Sequence, residues 1–215
     1  MKRTIKSAQE KMMIIGIDID NTITYTTEMI MHYAGIFGRE RGLNTVPNLS
    51  EYYLEEALGW SSESVEEFFN IYLESIYREV WPKEQVSETI ERLQKDHRIV
   101  LITSRNYRFP SIEEVTREWL KRNHIAYDEL VLNATPDMYH FSKVAVCMQY
   151  GVNIMIEDHH ELARELSSFI PVVLFDYPYN REVESDNIFR VSNWPEAYDW
   201  IERLMQAPGI SRPIA

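Results

Sequence analysis

The stretch Met12-Met13-Ile14-Ile15-Gly16-Ile17-Asp18-Ile19-Asp20-Asn21-Thr22 decides the fold. Its first six residues are apolar or small and predict a buried parallel strand. Such a strand accommodates two carboxylates only at its C-terminal end, where open α/β sheets place their ligands. Asp18 and Asp20 are two residues apart, so continued extended geometry points both to the same side. Two like charges that close are costly unless a cation or a proton lies between them. The economical explanation is a divalent metal ion together with acid–base chemistry.

Downstream, Tyr25 to Asp96 contains no convincing strand and reads as several helices. The clearest covers Ser62 to Val80. Val65, Phe68, Phe69, Tyr72, Leu73, Ile76, Tyr77 and Val80 recur there at helical spacing, and Pro82 closes the run. Lys83 to Lys95 is a further amphipathic helix. From Arg98 the pattern alternates. A strand over Arg98 to Thr103 precedes a helix to about Asn123, opened by a Ser111/Glu114 capping box. A strand over Glu129 to Leu132 precedes a helix from His140 to Tyr150, stopped by Gly151. Asn153 to Ile156, Pro171 to Phe175 and Ile188 to Val191 are strands; Glu161 to Phe169 and Trp194 to Met205 are helices. Alternation of this kind predicts a doubly wound parallel α/β sheet. The expected organisation is an α/β core over 12–26 and 97–206, with a helical cap over 27–96 inserted after the first strand. Residues 1–11 and 207–215 are expected to be flexible tails.

A length of 215 residues suits one large domain or a core with a sizeable insertion. The net charge of −12 disfavours a nucleic-acid polymer as partner. The same field repels a phosphate ester, so a phosphate site here needs its own metal and cations. One cysteine, Cys147, excludes an internal disulfide and a multi-cysteine zinc site, and fits a reducing compartment. No apolar stretch approaches the roughly 20 residues that cross a bilayer, and residues 1–11 lack the apolar core of a secretory signal. The chain is therefore expected to be cytoplasmic, with no membrane partner.

Four polar clusters fall at predicted strand ends or helix starts. Asp18/Asp20 is the first. Thr103-Ser104-Arg105 is the second, where hydroxyls and backbone N–H groups suit phosphate oxygens. Lys143, near a helix start, is the third. Glu157-Asp158 is the fourth, suited to a hard cation such as Mg²⁺. Each has a plain alternative: a turn, a helix cap, a solvated lysine, or acids complementing a helix dipole. Arg105 divides between substrate contact and a structural salt bridge. For His159-His160, capping or surface roles are favoured over a metal site. The aromatics of the helical block, among them Phe37, Tyr52, Trp60, Phe68 and Tyr77, are read chiefly as packing, with stacking on a ligand as the competing role.

The order of Asp18-Ile19-Asp20-Asn21-Thr22, Leu101-Ile102-Thr103-Ser104, Lys143 and Ile156-Glu157-Asp158 resembles the haloacid dehalogenase superfamily of phosphohydrolases. Size, cap position and the Ile-Thr-Ser-Arg and Ile-Glu-Asp motifs are similar to the cytosolic 5′(3′)-deoxyribonucleotidase group and its bacterial relatives. Two departures stand out: Asn21 occupies a position where that group has Gly, and Glu157 replaces a more common Asp. The resemblance implies Asp18 as nucleophile, forming an aspartyl-phosphate, and Asp20 as the acid and then base. It implies Thr103, Ser104 and Lys143 on the phosphoryl oxygens, with Mg²⁺ held by Asp18, the Asp20 backbone carbonyl and Asp158. Glu157 would be an outer or alternate ligand. The implied substrate is a small phosphorylated metabolite, foremost a (deoxy)nucleoside monophosphate, with a sugar phosphate or phosphoserine as alternatives. A phospho-signalling receiver or a catalytically silent ligand-binding module are the readings outside enzymes, and a homodimer is left open.

Overall fold

The computed structural model describes residues 12–106, 111–135 and 141–206. The two expected tails, and the helix start expected at His140, lie outside the described residues. Six strands form one sheet: β1 (Ile14–Ile17), β2 (Arg98–Asn106), β3 (Glu129–Asn133), β4 (Ile154–Glu157), β5 (Val172–Phe175) and β6 (Ile188–Val191). The order is β3-β2-β1-β4-β5-β6 and every pairing is parallel. Among the described residues, eight α-helices connect or flank them: α1 (Thr26–Arg41), α2 (Leu54–Leu58), α3 (Ser62–Glu79), α4 (Val86–Gln94), α5 (Ser111–Arg122), α6 (Lys143–Tyr150), α7 (His160–Ser167) and α8 (Trp194–Gln206).

The middles of the central strands are apolar because both faces of the sheet are covered there. Ile99, Leu101, Ile154, Ile156, Val173 and Phe175 belong to one buried cluster. Their neighbours Val100, Ile102, Met155, Val172 and Leu174 belong to a second. Alternate residues of one strand thus feed opposite cores, as period-two geometry requires. Gly16 at the centre of β1 allows the closest approach: a Cβ there would lie 2.7 Å from Met155 Sδ and 3.1 Å from Val152 Cγ1.

Sequence order leaves β1 for β2 on one side and reaches β4 on the other. The switch point of the doubly wound sheet therefore falls between β1 and β4, where ligands bind outside the carboxyl ends of the strands. Above it stand α1 to α3. The chain leaves and returns through two paired segments: Thr24 bridges Pro82, Tyr25 N–H donates to Trp81 O (3.0 Å), and Lys83 N–H donates to Ile23 O (2.9 Å). Helix α3 packs on α1 and α5, whereas α4 lies on β2 and α8, against the sheet.

Three local expectations change. The Thr103-Ser104-Arg105 segment lies inside β2, where the ladder to β3 shifts register between Thr103 and Asn106, rather than after the strand. Glu157 ends β4 instead of following it. The Ser111 hydroxyl donates to the Glu74 carboxylate of α3 (2.8 Å), so it serves a tie between helices rather than the expected capping box. Gly151 stops α6 in the left-handed region, at φ 66°, as expected.

Candidate active site

The ends of β1, β2 and β4, with the first turn of α6, bring all four clusters to one place. Asp18 follows β1, and its N–H donates to Ile156 O of β4 (3.0 Å), tying the two strands at the switch point. Lys143 begins α6, which Ser142 caps by accepting from Ala145 N–H. Its buried ammonium donates to Asp18 Oδ1 (2.5 Å) and Glu157 Oε2 (2.8 Å). An ammonium has three donors, so one remains. Asp18 Oδ2 takes no hydrogen bond among the described residues. Glu157 Oε1 accepts from the N–H groups of Asp158 and His159 (3.2 and 3.3 Å).

Asp158 is held by residues the sequence did not single out for it. Tyr179 O–H donates to Asp158 Oδ2 (2.5 Å), and Asn21 Nδ2 donates both to that oxygen (3.2 Å) and to Tyr179 OH (2.9 Å). Asn21 Oδ1 accepts from Thr27 N–H at the start of α1 (2.8 Å). Asn21 has φ 58°, which explains the departure from glycine. The turn demands the left-handed region, asparagine enters it with little penalty, and its amide then bridges β4 to α1.

Oxygens of Asp18, Glu157 and Asp158 lie within 4.8 Å of one another. One hard cation with ligand bonds of about 2–2.5 Å spans such a group. The charges also fit. Three buried carboxylates face one ammonium, because Asp20 is matched separately by Arg105. Burial pushes the Asp18 carboxyl up to about 8, with Lys143 pulling against it and Glu157 and Asp20 adding to it. Burial, then Glu157 and Asp18, push Asp158 well above its ordinary value. Burial would also raise Glu157, but Lys143 outweighs it and holds that carboxyl low. Burial would lower the Lys143 amine; Asp18 and Glu157 outweigh it and keep the amine charged. Two negative charges in excess make a carboxylate cluster suited to a divalent metal ion.

Asp20 is paired with Arg105: Nε donates to Oδ2 (2.9 Å) and an Nη to Oδ1 (2.8 Å). Burial favours the neutral acid, but the guanidinium overrides it and holds Asp20 below its ordinary value. Thr103 is fully buried, and its Oγ accepts from Arg105 N–H (3.2 Å); Ser104 lines the cleft. Neither hydroxyl proton has an acceptor among the described residues. His159 caps α7, its Nδ1 accepting from Leu162 N–H (3.4 Å), and its ring meets the edge of Tyr52 at 4.2 Å. The adjacent histidines therefore share no ligand geometry.

A cavity of about 1370 Å³ opens from this cluster toward α1 to α3. Ile30, Met31, Phe69, Leu73 and Tyr77 form its far wall, and Tyr52 covers the β4 side. Phe37, Trp60, Phe68 and Tyr72 pack on one another instead. The aromatics thus divide between helix packing and the cavity wall.

Sheet order, switch-point cluster and helices above it define a phosphohydrolase of the haloacid dehalogenase superfamily. The streptococcal haloacid dehalogenase-like hydrolase SP0104 from Streptococcus pneumoniae has the same fold, with a TM-score of 0.65 at 14% identity, covering 88% of this chain and 98% of that one. The family described as "5′ nucleotidase, deoxy (Pyrimidine), cytosolic type C protein" matches residues 12–207, and the chain belongs to it. It is 30% identical over 192 residues to YqfW of Bacillus subtilis (strain 168), provisionally named a nucleotidase, covering 88% of this chain and 94% of that protein. It is also 30% identical over 196 residues to the nucleotidase CA_C3379 of Clostridium acetobutylicum, covering 89% and 95%. The protein is accordingly a phosphoric monoester hydrolase of the 5′-nucleotidase type. Among the described residues, no helix is long and apolar enough to cross a membrane.

Proposed function

We propose that this enzyme is a Mg²⁺-dependent phosphomonoesterase that hydrolyses (deoxy)nucleoside monophosphates through an aspartyl-phosphate on Asp18. The observation that carries the reading is the buried contact of Lys143 with Asp18 and Glu157, beside Asp158, at the switch point. Asp18 attacks phosphorus through the oxygen that Lys143 leaves free, while the third donor of Lys143 and the hydroxyls of Ser104 and Thr103 meet the phosphoryl oxygens. Arg105 keeps Asp20 ionised in the free enzyme, so Asp20 takes up a proton as the negatively charged ester binds beside it, passes that proton to the departing oxygen and then takes one from the water that hydrolyses the intermediate. Asp18, the Asp20 carbonyl and Asp158, with Glu157 beside them, would hold Mg²⁺, which would neutralise charge on the transferred group. The cap is then α1 to α3, hinged at 23–25 and 81–83, because α4 packs on the sheet. Its apolar wall suits a ring better than the ammonium and carboxylate of phosphoserine.

The test is phosphate release with Mg²⁺ from dUMP, dTMP, sugar phosphates and phosphoserine. Nucleotides are expected to lead, and Asp18→Asn to abolish turnover. Fast cleavage of a non-nucleotide alone removes the nucleotide assignment. Parent-rate turnover by Asp18→Asn removes the mechanism.

A further inference from the structure

Arg105 lines the cleft, yet its side chain is 0% exposed while that of its partner Asp20 is 25% exposed. Its third nitrogen donates to Thr116 Oγ of α5 (3.2 Å), and Cζ sits 3.9 Å from the centre of the Tyr77 ring of α3. The guanidinium is therefore fixed from two helices as well as by its acid. Asp20 Oδ1 accepts from Arg105 and also from Thr26 Oγ (2.6 Å), whereas Oδ2 accepts from Arg105 alone. A carboxylate offers about four lone-pair positions. Three are occupied, and the one left is on Oδ2. A proton placed there leaves all three existing hydrogen bonds intact. A bidentate fork fixes both the carboxylate plane and the free oxygen, which a lysine would not do.

We propose that Arg105, held by Tyr77 and Thr116, is a positioning residue that sets the Asp20 carboxyl so that a single oxygen, Oδ2, exchanges the proton during ester cleavage. This rests on the reading of Asp20 as proton donor. In the first step the Asp18 oxygen bonds to phosphorus and the ester P–O bond breaks. Its electron pair stays on the leaving oxygen, which receives the proton from Asp20 Oδ2. In the second step water attacks phosphorus, returns one proton to Oδ2 and releases the Asp18 carboxylate.

The consequence is graded by leaving group, because a good leaving group departs without a proton and a poor one does not. The test is single-turnover phenol release from substituted phenyl phosphates, from p-nitrophenyl to unsubstituted phenyl phosphate, with Mg²⁺. Asp20→Asn is the reference and is expected to slow phenyl phosphate about 100-fold more than p-nitrophenyl phosphate. Arg105→Gln and Arg105→Lys are expected to steepen the dependence in the same sense, about tenfold. Tyr77→Leu should steepen it several-fold and Tyr77→Phe should not; this pair leaves the ion pair in place and decides the matter if the Arg105 variants fail to fold. If Asp20→Asn slows all esters alike, the proton-donor reading fails. If Asp20→Asn discriminates while the Arg105 variants slow all esters equally, or Tyr77→Leu keeps the parent slope where they do not fold, the positioning role is overturned.

Discussion

Without divalent cations, the stability of this protein is expected to fall as pH rises between about 6.5 and 8. The cause is Asp18, which stands at about 8 in the fold against an ordinary 3.8. Its raised value means that the folded state binds the proton more tightly than the unfolded chain. The stability linked to that proton is fully present below about pH 4 and is lost as pH rises through about 8. At about 1.4 kcal/mol per pK unit, the loss over the window is on the order of 2 kcal/mol. Asp158, pushed well above its ordinary value by burial and then by Glu157 and Asp18, acts in the same direction, while other groups act elsewhere. Burial pushes His159 down to about 4, so its proton favours the unfolded chain and its contribution is lost only as pH falls below about 6.5. Asp20 and Glu157, held low by Arg105 and Lys143 against burial, act in acid. The assay is urea unfolding across the window, once in EDTA and once in excess Mg²⁺. Mg²⁺ should remove the slope, because the cation takes the place of the proton, and Asp18→Asn should reduce the slope in EDTA. A stability in EDTA that stays level or rises over this range, or a slope that is undiminished in Asp18→Asn, would refute the reasoning.

Three further outcomes follow from the same geometry. Lys143→Met leaves Asp18 and Glu157 buried without their ammonium, so in EDTA it should cost about 3–5 kcal/mol by denaturant unfolding, and its kcat should fall at least about 100-fold. Asp158→Asn should raise the melting temperature in EDTA, since it removes a buried carboxyl pushed well above its ordinary value; a Mg²⁺ titration of melting temperature should show binding weakened at least about tenfold. Asn21→Gly keeps the φ of 58° and loses only amide contacts, for about 1 kcal/mol, while Asn21→Val adds backbone strain of about 1–3 kcal/mol; thermal unfolding of the pair separates conformation from hydrogen bonding.

The strand that carries Asp18 was legible because an apolar run ending in carboxylates has few physical uses. The alternation after Arg98 pointed to the parallel sheet for the same kind of reason: both faces of the central strands are buried, so their middles are apolar runs. The end of β2 was not legible. Ser104 and Arg105 look like loop residues, and only the buried Asp20 partner makes an arginine tenable inside a strand. Asn21 could be seen as a departure, but its reason is a dihedral angle, which composition does not encode. Tyr179 gave no local signal at all. It reaches Asp158 from a 3₁₀ turn at Pro178–Asn180 that Asn180 ties to Asp158 O and Phe175 O (both 2.7 Å), a contact visible only once β4 and β5 lie side by side.

The charged cluster and the cavity wall sit on different parts of the chain. Asp18, Glu157, Asp158 and Lys143 are anchored to the sheet and α6, while the apolar wall belongs to α1 and α3. The polar ties between α3 and α5 are, besides a buried bond from Trp119 Nε1 to Val80 O at the end of α3 (2.7 Å), exposed ion pairs and hydrogen bonds such as Arg78 with Glu118 (3.0 Å) and Ser111 with Glu74. Exposed pairs are each worth about 0–1 kcal/mol, so they do not by themselves hold the helices down; the apolar surface that α3 buries does more. Wall substitutions on α1 and α3 should therefore act mainly on KM, and cluster substitutions mainly on kcat. Tyr77 is the exception that the geometry requires: it belongs to the wall, yet its ring holds the guanidinium that fixes Asp20. A substitution there moves both constants, because there the helix that selects the leaving group also touches the group that protonates it.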